Sequence, residues 1–356
     1  MQKGKFNIVM GGQAGSESKG KLSGWLCDRE TPDLLVMTSS PNAGHTMIVH
    51  TGEKKVSYHL PVGSVMCGCP IVLGPASLIN LRTFKDEIVA LGIDPHRITI
   101  DPRASVITPE HMDRESLIGM SDIGSTLQGV GECRTSKMGR KESHLLIGQI
   151  DRRVLPSGVS IFPTAPIISG FLNKGLTVLC ESTQGFDLDL EHGIDPRYCT
   201  SKMINPAMAM AEAGVPPSRI GDVYGVIRPY PIRVNNRTGT SGPYAEAEEI
   251  TWGMVADRCG YPGKSAEFGE YTTTTKLPRR VFEFSWVRFA EFVRICGPTH
   301  LCLQFANYLD WNVLGETNFL DCPMRVLDFV GELEKRSGVW VSHIGTGPGH
   351  LDMISR

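Results

Sequence analysis

The sequence predicts an α/β fold, with a mostly parallel central sheet and helices on both faces of that sheet. Short apolar runs recur along the 356 residues, helical patterns separate them, and the runs are continuously apolar instead of alternating. Continuous apolar strands between helices are typical of parallel sheets that are covered on both faces. No repeat or low-complexity tract interrupts this pattern. The length allows two domains or one large one, and we expect a single domain over residues 1–356.

The predicted strands are the short apolar runs. In chain order they are Phe6–Met10, Leu34–Met37, Ile71–Leu73, Arg97–Ile100, Thr177–Cys180, Val223–Ile227 and Thr299–Phe305. The predicted helices carry apolar residues at helical spacing. They are Lys19–Arg29, Thr83–Leu91, Asn205–Ala213, Ala245–Arg258, Trp286–Ile295 and Met324–Arg336. The Pro/Gly-rich stretch 228–243 is interpreted as a long loop beside a site, because motifs on both sides of it serve the same site.

Composition excludes several classes of protein. The chain has 36 Lys+Arg against 38 Asp+Glu, a net charge of −2, which argues against binding a nucleic-acid polymer or a membrane surface. No apolar stretch approaches the roughly 20 residues of a membrane helix, and no secretory signal precedes the first strand. We therefore expect a cytoplasmic protein (host cytoplasm if viral) whose ten cysteines are free thiols.

A Gly-rich segment follows the first predicted strand and runs from Gly11 to Lys21. Its part from Gly15 to Lys21 fits the pattern G-x-x-x-x-G-K. Glycines let backbone N–H groups converge on an anion, lysines add charge, and the following helix presents its positive N-terminus. This predicts a P-loop-like phosphate loop. Position 22 is Leu instead of the Ser/Thr that binds Mg²⁺ in P-loop kinases, so a kinase is the weaker alternative.

A second loop candidate, Pro41-Asn42-Ala43-Gly44-His45-Thr46, follows the second predicted strand. A lone histidine is usually a core or surface residue. Here Gly44 lets the backbone approach a ligand closely, and Asn42 and Thr46 add polar groups beside His45. A ligand loop and a purely structural loop are about equally supported by these residues alone.

Together the two segments resemble the adenylosuccinate synthetase family, whose signature is G-x-Q-W-G-D-E-G-K-G-K followed by N-A-G-H-T. Further segments resemble family motifs in the same order: 124–131, 181–185, 189–201, 230–234, 272–280 and 345–348. The resemblance implies a ligase. The 6-oxo group of a purine monophosphate is phosphorylated by a nucleoside triphosphate with Mg²⁺, and the amine of L-aspartate then displaces the phosphate.

The resemblance also implies roles for individual residues. The catalytic set is Ser16, Lys19, His45 and Gln184, and the metal set is Ser16 and Gly44. The triphosphate set is Ser16, Glu17, Ser18, Lys19, Gly20, Lys21, Gly44, His45, Thr46, Gln304, Asn307, Gly345, Gly347 and Pro348. The purine monophosphate set is Ser16, Asn42, Ser125, Thr126, Arg140, Gln184, Thr200 and Arg233, and the aspartate set is Thr273, Thr274, Thr275 and Arg279. Because the family lends the arginine at position 140 to a neighbouring subunit, we expect a homodimer.

The main departure from the family is Ser16, which stands where the family has an aspartate that ligates Mg²⁺ and removes the N1 proton of IMP. Three interpretations follow: a non-catalytic nucleotide-binding relative, an ordinary synthetase using IMP and GTP with a displaced base, or an enzyme for another purine. We favour the third, because a shorter neutral side chain makes room for the C2 amino group of guanine. A branch of the family in certain DNA viruses, the 2-aminoadenylosuccinate synthetases, also has serine there and uses dGMP.

Two further departures fit this interpretation. Gln304-Phe305-Ala306-Asn307 stands where the family reads the guanine of GTP with T-K-L-D, and an amide in place of the carboxylate favours ATP or dATP as donor. Leu277 and Pro278 stand near a family arginine that contacts the ribose 2′-hydroxyl, which fits a deoxyribose. We therefore expect an ATP-dependent ligase that joins L-aspartate to C6 of dGMP. The substrate phosphate, a metal-bound water and Glu17 are the candidates for deprotonating N1.

Overall fold

The computed structural model of the protein describes residues 1–38, 40–235, 240–244, 246–272 and 276–356. Within those residues the α-helices are α1 Lys19–Glu30, α2 Leu81–Leu91, α3 Pro109–Leu117, α4 Val130–Met138, α5 Thr164–Asn173, α6 Pro206–Ala213, α7 Trp252–Cys259, α8 Trp286–Cys296 and α9 Met324–Ser337. The strands are β1 Phe6–Gly11, β2 Leu34–Met37, β3 His45–Ile48, β4 Lys54–Ser57, β5 Ile71–Leu73, β6 Leu78–Ile79, β7 Ile98–Ile100, β8 Ser105–Val106, β9 Ser160–Ile161, β10 Val178–Gly185, β11 Ile220–Ile227, β12 Ile232–Arg233, β13 Glu249–Ile250, β14 Arg280–Phe282, β15 His300–Leu303, β16 Val341–Gly345 and β17 Met353–Ser355.

One ten-stranded sheet organises the fold, in the order β17-β16-β15-β11-β1-β10-β2-β5-β7-β9. The pairs from β16 to β9 are parallel, and β17 runs antiparallel to β16 at one edge. The predicted mostly parallel central sheet is thus confirmed. All seven predicted strands belong to it.

Alternate residues of β1 lie in two different core layers. Ile8 packs with residues of α5, α6, α8 and α9, including Phe292, whereas Val9 packs with residues of α1 and α2, including Leu22. Because successive side chains of a strand point to opposite faces, these two layers lie on opposite sides of the sheet. The helices cover both faces, as the continuous apolar strands predict.

Smaller sheets lie outside the central one. β3 and β4 form an antiparallel hairpin, β12-β14-β13 is an antiparallel sheet, and β6 pairs with β8 in parallel. These small sheets are formed by segments that follow strands of the central sheet in the chain, and some of their residues belong to the loops of the site described below.

The predicted helix Ala245–Arg258 is wrong in its first half. The helix begins only at Trp252, because the Thr251 side chain caps it by accepting from the Met254 N–H, and the two residues before Thr251 form β13 instead. Residue 245 lies outside the described residues. The other predicted helices are confirmed, with ends that shift by one or two residues, and α3, α4 and α5 were not predicted.

Among the residues that the structure describes, no helix has the combination of length and apolar character that crossing a bilayer requires.

Candidate active site

The candidate site lies where three neighbouring parallel strands end. Gly11 at the end of β1 is in register with Gly185 at the end of β10 and with Val226 of β11. The loops that follow parallel strands meet at one edge of the sheet, which is where α/β proteins bind ligands. Two adjoining cavities of about 640 and 330 Å³ lie at this edge. Both are lined by Ala14, Asn42, Gly124, Ser125, Thr126, Gln184, Leu188 and Val234.

The predicted phosphate loop connects β1 to α1, and its backbone is bent around a buried carboxylate. Glu17 Oε1 accepts from the N–H of Gly15 at 2.7 Å and of Gln13 at 3.2 Å, and its Oε2 accepts from Lys19 Nζ at 3.0 Å. Glu17 is fully buried and lines neither cavity. Its carboxylate therefore holds the loop in shape, and the geometry gives it no contact with a purine in either cavity.

The residues around Glu17 turn outward. Ser16 and Ser18 have positive φ angles of 61° and 66°, a backbone conformation that is unusual for residues other than glycine, asparagine and aspartate. Ser16, Ser18, Lys19 and Gly20 all line the larger cavity. The strained backbone thus presents the predicted residues to the cavity while Glu17 stays beneath them.

Two glycines are needed for the loop to pack against β10. A Cβ atom on Gly185 would lie 2.0 Å from the Gln13 carbonyl oxygen and 2.6 Å from Glu17 Oε1. A Cβ atom on Gly11 would lie 2.5 Å from Glu17 Oε2. The strand ends carry glycine because the backbone and carboxylate of the loop occupy the space that a side chain would take.

His45 lines the larger cavity at the start of β3, and its ring is held from behind. Its Nδ1 hydrogen-bonds Glu181 Oε1 of β10, and both side chains are buried. Within the described residues, the other oxygen of Glu181 is buried and has no hydrogen-bond partner. A carboxylate that accepts from Nδ1–H leaves Nε2 of the imidazole for the ligand. Glu181 was absent from the predicted site residues, although it lies in a motif that the resemblance included.

The predicted purine monophosphate residues come together, with two differences. Asn42, Ser125, Thr126, Gln184, Thr200 and Arg233 line the smaller cavity. Ser16 lines only the larger one, and Gln184 lines both. Arg140 lies exposed on the surface and is absent from the lining of either cavity.

Arg233 lines the smaller cavity and carries a donor that is not used. Its Nε and Nη2 donate to the Ser241 carbonyl oxygen, whereas its Nη1 is buried without a partner among the residues that the structure describes. Burial lowers the pKa of Arg233, yet guanidinium groups stay protonated in proteins. A buried cationic N–H that lacks a partner suits an anionic ligand.

A buried ion-pair cluster joins the phosphate loop to the segment that precedes Thr273. Arg228 is fully buried, and its Nη2 lies 2.5 Å from Glu270 Oε1. Arg279 Nη1 lies 2.6 Å from Glu270 Oε2, and Arg228 Nη1 donates to the Ser16 carbonyl oxygen at 3.1 Å. Burial opposes ionisation, but the two guanidinium groups hold the pKa of Glu270 at about 2. The cluster fixes the backbone of Ser16 relative to Arg279.

Aromatic rings close this cluster from the other side. The Arg228 guanidinium lies 4.1 Å from the centre of the Phe305 ring, and Tyr308 donates its hydroxyl to Glu270 Oε1 at 3.1 Å. Glu270, Arg279, Phe305 and Tyr308 line the larger cavity. Of the cluster, sequence reasoning selected only Arg279. Thr273, Thr274 and Thr275 of the predicted aspartate set lie outside the described residues.

The remaining predicted triphosphate residues fall into two groups. Gly44, His45 and Thr46 line the larger cavity with the phosphate loop. Gln304 and Asn307 are buried, and they and the C-terminal group Gly345, Gly347 and Pro348 are absent from the lining of both cavities. A Cβ atom on Gly345 would lie 2.1 Å from Gln304 Oε1, so these two segments are in direct contact.

Lys21 links the phosphate-loop helix to the C-terminal loop instead of facing the cavity. Its Nζ donates to the carbonyl oxygens of Gly347 at 2.6 Å and Asp352 at 2.7 Å. Burial lowers the pKa of Lys21 to about 7. To bind a triphosphate, the Lys21 ammonium group would have to give up these two hydrogen bonds to backbone carbonyl oxygens.

The sequence model of the adenylosuccinate synthetase family matches residues 8–151 and 149–314. The chain belongs to this family. The resemblance read from the motifs is confirmed, and with it the expected ligase class. The matched residues include the lining of both cavities, from the phosphate loop to Tyr308.

Two relatives within the adenylosuccinate synthetase family come from phages and are named N6-succino-2-amino-2'-deoxyadenylate synthase. That of cyanophage S-2L is 35% identical over 311 residues, covering 85% of this chain and 82% of the relative. That of Vibrio phage phiVC8 is 30% identical over 364 residues and covers 98% of both. An adenylosuccinate synthetase of a Pyrococcus strain is 29% identical over 356 residues, covering 98% of both.

Solved structures of the adenylosuccinate synthetase family agree with the fold. The cyanophage S-2L succinoaminodeoxyadenylate synthetase, bound to dGMP and dATP as an energy donor, superposes with a TM-score of 0.83 at 32% identity. The alignment covers 99% of this chain and 95% of that one. A fully ligated adenylosuccinate synthetase from Plasmodium falciparum gives a TM-score of 0.84 at 19% identity and supports the fold alone.

Proposed function

We propose that the protein is a ligase that joins L-aspartate to C6 of dGMP, with ATP or dATP as phosphate donor. The product is 2-amino-2'-deoxyadenylosuccinate, a precursor of 2-aminoadenine nucleotides. The observation that carries the proposal is Ser16: a hydroxyl lines the cavity, beside His45 and Gln184, where the family has a carboxylate. The similarity to a structure bound to dGMP and dATP supports the same substrates.

The purine monophosphate is placed in the smaller cavity. Gln184 lines both cavities and would hold the O6 side of the base at their junction. Asn42, Ser125, Thr126 and Thr200 offer amide and hydroxyl donors, and Arg233 offers its free Nη1, for the monophosphate. The exposed Arg140 would complete the site of a second subunit, which makes the active form a homodimer.

The first chemical step occurs in the larger cavity. Purine O6 attacks the γ-phosphorus of the donor, the bond to the β-phosphate oxygen breaks and the diphosphate leaves. The N1 proton passes to the substrate's own phosphate group, since Glu17 lines neither cavity. Lys19 and the backbone N–H groups of the loop stabilise the charge on the transferring phosphoryl group. His45 donates from Nε2 to that group, with Glu181 stabilising the protonated ring; general acid–base help of this kind contributes ~10²–10⁴-fold.

Hard oxygen donors in the same cavity fit a magnesium ion. The Ser16 hydroxyl and the Gly44 carbonyl would hold it, together with phosphate oxygens and water, as Mg²⁺ prefers. When bound, the ion supplies charge neutralisation for phosphoryl transfer.

In the second step the amine of L-aspartate attacks C6, the bond from C6 to the phosphorylated oxygen breaks, and phosphate leaves and takes up the proton that the amine loses. Arg279 lines the cavity with its position set by Glu270, and it would pair with a carboxylate of aspartate. Thr273, Thr274 and Thr275 are proposed to hold the rest of that substrate. Leu277 lines the larger cavity and not the smaller one. The proposed preference for a deoxyribose therefore rests on the resemblance, in which Leu277 stands near the family arginine that contacts the ribose 2′-hydroxyl.

The donor base is placed against Gln304, Asn307 and the segment Gly345–Pro348. An asparagine amide can both donate to and accept from the adenine edge, whereas it lacks the double acceptor that guanine needs. ATP or dATP is therefore the proposed donor.

Product analysis tests the proposal. Purified protein is incubated with aspartate, Mg²⁺ and each pairing of dGMP, GMP, IMP or dIMP with ATP, dATP or GTP. We expect phosphate release and a succinylated product by mass spectrometry, with dGMP and ATP or dATP giving the most. Strong turnover with IMP and GTP would identify an ordinary adenylosuccinate synthetase. Nucleotide-dependent thermal stabilisation without phosphate release would identify a binding protein.

A further inference from the structure

Three metal-ligating side chains from three separate segments meet near the C-terminal end of α1. Asp28 lies in the last turn of α1, His50 follows β3, and His350 lies in the loop between β16 and β17. One carboxylate oxygen and one nitrogen from each imidazole all lie within 4.8 Å of one another. The proposed reaction uses none of these residues.

His350 presents an unused nitrogen to this cluster. The residue is only 1% exposed, and its Nε2 lies 3.8 Å from Asp28 Oδ2 with no hydrogen-bond partner in the described part of the chain. The backbone N–H of His350 donates to the Ile48 carbonyl oxygen at 3.1 Å, which ties the residue to the end of β3. A buried ring nitrogen without a hydrogen-bond partner is one that a bound ion would satisfy.

His50 faces the same carboxylate from the solvent side. Its Nε2 lies 3.7 Å from Asp28 Oδ1, and its ring is nearly perpendicular to that of His350, with centroids 4.0 Å apart. Its side chain is about half exposed (51%), which gives an ion a path to the buried nitrogen of His350. Arg29, 3.4 Å from Asp28, would compete with a metal ion for this carboxylate. Because Arg29 is exposed, its ion pair with Asp28 contributes little to stability.

We propose that Asp28, His50 and His350 form a binding site for a zinc-type divalent transition metal. Two imidazole nitrogens and a carboxylate oxygen, with water in the fourth position, are a ligand set that Zn²⁺ uses. Zinc bonds of roughly 2.0–2.2 Å require ligand atoms about 3.4 Å apart. The histidine–carboxylate distances of 3.7 and 3.8 Å are a few tenths of an ångström longer than this, and no pair of ligand atoms is more than 4.8 Å apart, so small side-chain shifts close the site when the ion binds. Mg²⁺ prefers all-oxygen ligands, so it does not compete here.

The site would connect segments that hold proposed triphosphate residues. α1 begins at Lys19, β3 contains Thr46, and the loop of His350 contains Pro348. A metal bound by Asp28, His50 and His350 would fix the relative positions of these three segments. The proposal about metal binding does not depend on the proposed reaction.

A second group, His111, Cys133 and His144, also has its ligand atoms within 4.8 Å. Its chemistry is less suitable. The Thr108 N–H donates to His111 Nδ1 at 3.1 Å, which leaves the proton of the neutral ring on Nε2 and no lone pair there for a metal. This group therefore supplies a control.

Zn²⁺ titration of the metal-free, full-length protein in excess Mg²⁺ tests the proposal. We expect one equivalent of Zn²⁺ to bind, with a rise in Tm of about 3–6 °C. His50→Ala removes an exposed side chain, and we expect it to weaken Zn²⁺ binding at least ~10-fold. His350→Gln should do the same. His96→Ala, an exposed histidine beside Asp94, and Cys133→Ser should leave binding unchanged.

Co²⁺ distinguishes the ligands by absorption. Bands of nitrogen and oxygen ligation that disappear in His50→Ala support the site, whereas thiolate-to-cobalt charge-transfer bands would assign the ion to cysteine. The absence of stoichiometric Zn²⁺ binding would overturn the proposal. Binding that survives both His50→Ala and His350→Gln, or that is lost in Cys133→Ser, would overturn it too.

Discussion

Nδ1 of His45 hydrogen-bonds Oε1 of Glu181, and both side chains are buried. Glu181 lies in β10, in register with Val9 of β1, so the carboxylate sits in the central sheet. His45 begins β3, a strand of the outer hairpin. The sheet thus orients a cavity-lining imidazole through a buried carboxylate, which is the relationship between base and orienting acid in many hydrolases.

Replacing Glu181→Gln should lower kcat about 10- to 100-fold while KM for the nucleotides changes little. The amide cannot stabilise a protonated His45, so the loss falls on the transition state and not on binding. Steady-state rates of phosphate release measure it. Glu87→Gln is the matched control, because Glu87 is also buried and lies 3.0 Å from Nδ1 of a histidine, His59. It should leave kcat within about 3-fold; an equal loss in both variants would contradict the assigned role.

Replacing Gly185→Ala should disrupt the phosphate loop. The added methyl group would overlap the Gln13 carbonyl oxygen at 2.0 Å, and overpacking of this kind costs about 1–3 kcal/mol of unfolding free energy. Urea unfolding and titration with ATP measure both effects. In the control Gly170→Ala, a helical position with no atom within 4 Å of the added Cβ, stability should rise or stay the same. Unchanged ATP binding by Gly185→Ala would show that the loop tolerates the displacement.

Glu270 should give the protein an acid-sensitive component of stability. Its folded pKa of about 2 lies below the ~4.3 of an unfolded glutamate. The ionised cluster therefore stabilises the fold fully above pH ~4.3, and this contribution is lost as the pH falls toward 2. Glu270→Gln leaves Arg228 buried with a lost partner, and should lower the unfolding free energy at pH 7 by about 3 kcal/mol.

The pH dependence of the unfolding free energy distinguishes the contribution of Glu270 from a loss of stability that any glutamate substitution would cause. Between pH ~4.3 and 2 the curve of Glu270→Gln should be flatter than that of the parent protein. Glu332→Gln, which removes an exposed carboxylate beside Arg336, should leave stability at pH 7 unchanged. Parallel curves for the parent and Glu270→Gln would mean that the two arginines do not lower the pKa of the Glu270 carboxyl group.

Asn307→Asp should shift donor use toward GTP. The carboxylate accepts from both guanine N1–H and N2–H₂, and we expect the ratio of kcat/KM for GTP over ATP to rise about 10- to 100-fold. Asn307 is buried, whereas Asn312 is exposed, so Asn312→Asp is the control that should not change the ratio. A donor ratio that Asn307→Asp leaves unchanged would remove Asn307 from the base site.

The central strands could be predicted from the sequence because their burial on both faces makes them continuously apolar. β2 and β5 were predicted with the observed bounds. α4 was missed because it buries only Val130, Cys133 and Ser136, which gives a weak apolar pattern. Helix α7 was predicted too long, because Thr251 was included in the helical pattern although it is the N-cap that separates β13 from the helix.

The residues of the candidate site likewise divide into those that could be predicted from the sequence and those that could not. The phosphate loop and the His45 loop could be predicted because each is a contiguous motif next to a strand. Glu181 and Arg228 could not, because their roles depend on contacts with residues 136 and 42 positions away in the chain. Such pairing is decided by how separate segments pack together in the fold and not by local spacing.

The substrate preference of the protein and of its Ser16→Asp variant tests the central claim most directly. The measurement is the ratio of kcat/KM for dGMP over IMP, with Ser18→Asp as control because Ser18 lines the same cavity with the same left-handed backbone. We predict that the parent protein prefers dGMP at least ~10-fold, that Ser16→Asp lowers dGMP use and raises IMP use, and that Ser18→Asp leaves the ratio unchanged. A parent protein that prefers IMP, or dGMP use that Ser16→Asp leaves intact, would contradict the account.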